Sequence, residues 1–172
     1  DGVYNFGEVL ATPILSVLDN TPNAWLGTLL QVVGRGDVEA FATLVADHRA
    51  DLDSQPALVA RLDFLKEKIT LLALMNLVFE TPSHQRTLPF TLVASKTNLP
   101  LDHVEWLAMR AMALGLVKGH IDEVLQHLHV TWVAPKVLDD NEIKHLINQL
   151  DGLSDRATTA LSVIHDQTLD LL

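Results

Sequence analysis

The sequence contains no cysteine. That excludes a disulfide frame, thiolate chemistry and Cys-ligated zinc together, and it agrees with a reducing compartment. No apolar run approaches the ~18 residues that a membrane-spanning helix needs. No charged stretch leading into an apolar segment opens the chain. The opening "DGVYNFGEVL" has no initiator Met and reads as the middle of a longer protein, so an excised fragment is expected. Bases are scarce: 12 Lys and Arg stand against 22 Asp and Glu, for a net charge of −10. Such a chain is repelled by phosphate backbones unless it gathers its bases into one patch. Also missing are HExxH, GxSxG, a P-loop and GxGxxG. No catalytic centre, cofactor or small-molecule substrate is therefore expected.

What is present is the composition of a packed protein: 172 residues, 48% hydrophobic and 20% charged. That suffices for one ordinary domain or two small, closely packed ones. The acidity is concentrated at the ends. Residues 1–60 hold eight acids against Arg35 and Arg49, and residues 137–172 hold seven against Lys144 and Arg156.

The first third reads as short helices. Thr21-Pro22 offers an N-cap and a first-turn proline before "NAWLGTLLQVV". In "GRGD" (34–37), Gly34 or Gly36 can end that helix and Asp37 can cap "VEAFATLVADH". Ser54 caps a long helix, roughly 56–80, whose Leu58, Leu62, Leu65, Ile69, Leu72 and Leu77 keep one apolar face. "TPSHQRTLPF" (81–90) is read as a loop with two prolines. Thr91 then caps "LVASKTN", and Asp102 with Glu105 has capping-box spacing before "WLAMRAMAL". Val104, Leu107, Ala108, Ala111 and Leu114 share a face, and Gly115 closes the helix. Segments 116–122 and 129–134, rich in β-branched residues, read as a hairpin. Helix, short helix, turn, helix and hairpin in that order make a winged helix. Beyond it, Asp139 and Glu142 give another capping box, Ile143, Leu146, Ile147 and Leu150 share a face, and Gly152 interrupts. Ser154 caps a last helix with Ala157, Leu161, Ile164, Thr168 and Leu171 at heptad-like steps.

Candidate chemistry has plain alternatives. His120, His127 and His129 with Asp122 and Glu123 could in principle converge on a metal, but solvated hairpin histidines are the simpler reading, and no metal is expected. "DHRADLD" (47–53) places His48 near Asp47 and Asp51, a helix-end charge cluster before it is an acid–base pair. Arg35-Gly36-Asp37 is the tripeptide read by adhesion receptors, yet here Gly breaks a helix and Asp caps one. A DNA-reading winged helix wants Arg and Lys on its second helix and wing. Across 89–134 the bases are Lys96, Arg110 and Lys118, outnumbered by Asp102, Glu105, Asp122 and Glu123. Protein contact is the better expectation. The hairpin's outer strand would leave unpaired N–H and C=O groups that a partner strand could extend. Trp132 could equally face the core.

Helical pairs, a long connecting helix, a winged helix and C-terminal helices together resemble the PCI domain, shared by the proteasome lid, the signalosome and a translation initiation factor. "YNFGEVLATPIL", "KITLLALMNLVFETPSHQRTLPF" and "VEWLAMRAMALGLVKGHIDEV…HVTWVAPKVLD" resemble the PCI lid subunits of the proteasome regulatory particle, over essentially the whole chain. The resemblance implies a mainly α fold: a solenoid-like part over 1–60, a winged-helix part over 61–137 and bundling helices over 138–172, with the family's N-terminal repeats missing. It implies a non-catalytic, cytoplasmic and nuclear scaffold that supports ubiquitin-dependent degradation and touches neither nucleic acid nor membrane. Its partners would be other PCI lid subunits, met through Lys118, His120, Ile121, His129, Thr131 and Val133, with the edge near His129–Val133 foremost. The lid helical bundle would be met through Ile143, Leu146, Ile147, Leu150, Leu161, Ile164 and Leu171. The alternatives are a PCI subunit of the signalosome or of the initiation factor, or a nucleic-acid-binding winged helix.

Overall fold

The computed structural model describes residues 4, 6–10, 12, 15, 17–18, 21–82, 85–136 and 140–169. The chain divides into two units, Asp1–Lys136 and Val137–Leu172, each described by itself.

The first unit opens with α1 (Gly7–Leu10), α2 (Ala24–Arg35), α3 (Val38–Asp47), α4 (Arg49–Asp53) and α5 (Pro56–Val59). Helix α2 begins later than Thr21-Pro22 suggests. The Thr21 hydroxyl donates back to the Leu18 carbonyl at 2.8 Å, so it does not serve as a cap acceptor, and Asn23 takes the N-cap position. Gly36, not Gly34, ends α2. At φ 64° it lets its own N–H reach Val33 O while the Asp37 N–H reaches Val32 O, the paired bonds of a left-handed helix terminus. Asp37 then caps α3 as expected, its Oδ1 accepting from Ala40 N at 2.9 Å. Asp37→Ala should cost about 1 kcal/mol and lower the melting temperature of this unit by about 2–4 °C, as circular dichroism would show.

The long helix expected over 56–80 is broken. Ser54 donates its hydroxyl to Asp51 O instead of capping. The backbone tightens to an i→i+3 bond at Arg61, whose φ is −119°, and α6 (Leu62–Glu80) starts afresh. The apolar stripe across the break reported burial, not helix continuity: Leu58, Leu62 and Leu65 still pack on the core. Within α6, Ile69, Leu71, Leu72, Leu74, Met75, Leu77 and Val78 are all buried. Each such side chain contributes about 1.5–3 kcal/mol gross, which makes α6 the axis of the unit. Lys68 is the buried exception. Its Nζ lies 5.1, 4.7 and 5.7 Å from the ring centres of Tyr4, Phe6 and Phe64, and burial pushes its pKa down.

The expected loop over 81–90 contains a strand, β1 (Thr87–Pro89). It is followed by α7 (Phe90–Thr97), α8 (Leu101–Ala113), β2 (Val117–Asp122) and β3 (His127–Val133). Both helices are capped differently from expectation. Pro89 and Pro100 hold the N-cap positions in extended backbone, and the first N–H of α7 goes to Gln126 O at 2.8 Å. Thr91, Asp102 and Glu105 therefore lie inside their helices. Gly115 does close α8, at φ 69°. Val104, Leu107, Ala108 and Ala111 are buried as expected, whereas Leu114, already past the helix, is exposed.

The three strands form an antiparallel sheet in the order β1-β3-β2. Leu88, Val117, Leu128, Val130 and Val133 turn inward and join the helices in one continuous core. Fold class is thus as expected: mainly α, with a winged helix and a small sheet.

Among the described residues the second unit is a single helix, α9 (Asp140–Leu169). Gly152 does not interrupt it, because one helical glycine costs only about 1 kcal/mol. The capping box at Asp139 and Glu142 lies outside the described residues and side chains.

Candidate partner-binding site

The sheet decides which residues face outward. Register pairs Lys118 with Trp132 but Gly119 with Val130, so Thr131 is an extra residue on β3. This bulge resets the alternation. Without it, Val130 and Trp132 would share a face. With it, Val133 turns into the core at 8% exposure and Trp132 turns out at 39%. The Lys118 ammonium covers the Trp132 ring at 4.8 Å, and the Thr131 hydroxyl donates to Lys118 O at 3.1 Å. Val133 is therefore a core residue, and Ile121 is half-buried against the same core.

The edge also sits elsewhere than expected. β3 is the central strand, bonded to β1 at 127–129 as well as to β2. On that side the strand missed in 81–90 covers β3 at 127–129, and Val130 N donates to Arg86 O at 2.8 Å, so the edge expected near His129–Val133 is covered at its start, and the β1 pairing does not extend to 131–133. β1 and β2 are the outer strands. On β2, Lys118 and His120 are exposed. His120 and His129 stack with ring centres 4.5 Å apart, and His127 and His129 follow at 6.3 Å. His129 is tied by Nδ1 to the Thr87 hydroxyl at 2.9 Å. The rings stack instead of converging, and no group of metal-ligating side chains that could hold an ion occurs among the described residues.

The outer face of α8, which a nucleic acid would meet, mixes apolar Leu101, Trp106 and Met109 with polar Asp102, His103 and Arg110. Helix α8 exposes Trp106 and Met109, 52% and 50%, at the i, i+3 spacing of one helix face. Arg110, the base on that helix, gives its Nε to Glu67 at 2.7 Å. The wing tip carries Val124 and Leu125 in place of Lys or Arg. The exposed Trp106 and Met109 were missed in the sequence. They stand out only once α8 is seen to bury its opposite side.

On α9, Ile143, Leu146, Ile147, Leu150, Leu153, Leu161 and Ile164 are between 43% and 69% exposed. Because the helix runs through Gly152, what the sequence divides into two faces is one apolar stripe in steps of three and four, and Leu153 joins it. Among the described residues, this unit holds no second element against which to bury it. Leu171 lies outside the described residues. No helix among the described residues is long and apolar enough to cross a membrane.

The first unit is thus a winged helix on a helical stem, with exposed apolar side chains on α8 and at the wing tip. Residues 45–132, about half of the chain, match the PCI domain, and residues 1–30 match the PSD13 N-terminal repeats. The chain belongs to the PCI-domain family. The N-terminal repeats are thus not missing altogether, because residues 1–30 match them.

The 26S proteasome non-ATPase regulatory subunit 13 of Dictyostelium discoideum is 37% identical over all 172 residues, which correspond to 45% of its own length. Homolog A of that subunit from Arabidopsis thaliana is 39% identical, with 100% of this chain and 45% of the relative covered. The 26S proteasome regulatory subunit RPN9 of Saccharomyces cerevisiae is 36% identical over 91% of this chain and 39% of its own. The chain spans less than half the length of these curated relatives.

Proposed function

We propose that this chain is the PCI-containing part of a non-catalytic scaffold subunit of the proteasome regulatory-particle lid, and that it supports ubiquitin-dependent degradation by holding neighbouring subunits in place. The observation that carries the reading is the likeness, over the full 172 residues, to regulatory subunits of the 26S proteasome. Two surfaces fit that role. The β2 edge, with Lys118 and His120 beside His129 and Thr131, meets a neighbouring PCI subunit. The stripe on α9 enters a helical bundle, because a solvated helix with such a stripe gains most by burying it against other helices. The partners are protein, not nucleic acid, membrane or small molecule, and the assembly works in cytoplasm and nucleus. The chain performs no chemistry of its own.

Leu146→Asp combined with Leu161→Asp tests the bundle. Both side chains are exposed in α9, so the circular dichroism of the first unit should be unchanged. Two charges in a bundle core are expected to abolish co-elution with the purified remaining lid subunits. Undiminished co-elution of the double variant would remove α9 from the assembly.

A further inference from the structure

The wing tip is an exposed apolar crest on a rigid turn. Val124 is 93% and Leu125 64% exposed, although two neighbouring apolar residues at the end of a hairpin contribute nothing to this unit's core. The turn is fixed from several sides. Leu125 N donates to Asp122 Oδ1 at 2.9 Å. The Leu125 carbonyl accepts from Nδ1 of His127 at 2.5 Å, so Nδ1 carries the proton. Gln126 adopts φ 53°, and its carbonyl receives the N–H of buried Phe90 at 2.8 Å. The crest is thus held by hydrogen bonds on both sides and tied to the core through Phe90, which lowers the ordering cost of binding.

Charge narrows the partner. Asp122 and Glu123 flank the crest, and neither forms an ion pair among the described residues. Two acids at the base of an apolar tip are repelled by phosphate and by anionic lipid alike. They complement a rim of Lys or Arg.

We propose that Val124 and Leu125 form an apolar prong that inserts into a hydrophobic pocket of a neighbouring protein subunit, with Lys or Arg at the pocket rim facing Asp122 and Glu123. The inference rests on the scaffold reading above and adds a contact distinct from both the β2 edge and α9.

The test measures binding to the purified remaining lid subunits. Val124→Ser with Leu125→Ser keeps the Asp122 turn and removes the crest, and it should weaken binding about tenfold. Glu123→Lys should weaken it too, by placing like charge against the rim. The α9 double variant runs beside them. Wild-type affinity for both prong variants, with binding lost for the α9 variant, overturns the prong and leaves the scaffold standing. Failure of the wild-type chain to bind overturns both. A benzophenone amino acid at position 124 should cross-link to a lid-subunit peptide in which apolar residues neighbour Lys or Arg. Cross-linking only within this chain, or flotation of the wild type on phosphatidylserine vesicles that the serine pair abolishes, overturns the proposal.

Discussion

Gly119→Ala is expected to disrupt the wing and lower the melting temperature of the first unit by about 6–12 °C, which corresponds to about 3 kcal/mol in a protein of this size. Gly119 sits at the bulge, where β2 steps from Trp132 to Val130. A Cβ there would overlap the His129 carbonyl oxygen and stand 3.1 Å from Val130 Cα. Both are backbone atoms of a strand bonded on two sides, so neither can rotate away as a side-chain tip would. Relief requires the strands to part, and the stacked His120 and His129 part with them. Gly27→Ala is the control. Its Cβ would meet nothing within 4 Å, and in mid-helix the change should stabilise by about 0.5–1 kcal/mol. Thermal melts of the two variants should therefore move in opposite directions. Equal melts would mean that Gly119 does not face His129 across the sheet. The same variant separates the two proposed surfaces, because it should weaken contacts made through the wing and leave those of α9 intact.

The winged helix was legible because its signals are local. Val104, Leu107, Ala108 and Ala111 repeat at helical spacing, and Gly115 supplies the left-handed residue that ends the helix. The third strand was not legible. Thr87–Pro89 is three residues long and ends on a proline, and only its bonding to β3, some forty residues away, makes it a strand. Missing it left His129 and Val130 looking like open edge, although they bond to β1 and to Arg86. The outward turn of Trp132 was open in the sequence for a related reason, since a bulge inserts a residue without leaving any residue type as its mark. Gly152 misled in the opposite sense. A glycine weakens a helix by an amount that twenty-nine helical neighbours in α9 easily absorb, so the break existed in propensity and not in the chain. The charge count does not depend on the fold, because the shortage of bases across 89–134 is the same whatever the register.

Gly36→Ala should destabilise the first unit by about 3 kcal/mol, and its consequences also decide how Arg35-Gly36-Asp37 is read. Two effects add. At φ 64° an L-residue pays about 1–2 kcal/mol for left-handed backbone. Its Cβ would also lie 2.6 Å from Ala73 N and 2.8 Å from the Leu72 carbonyl carbon. Those atoms belong to the middle of α6, the most deeply buried helix, so the turn between α2 and α3 would have to lift away from it. Lifting would also strain the bond from Asn76 Nδ2 to Arg35 O, 2.6 Å long. Gly115→Ala separates the two effects. Gly115 has a similar φ of 69° but nothing within 4 Å of its Cβ, so it should cost only the backbone share, and the difference between the two variants in chemical denaturation measures the contact with α6. A receptor-binding tripeptide needs its glycine at the crest of an exposed loop. Here Gly36 is buried against a helix, the Arg35 carbonyl is held by Asn76, and the Asp37 carboxylate is engaged with Ala40 N. Loss of stability in Gly36→Ala, with Arg35→Ala folded as the wild type, is the pattern expected of a helix junction.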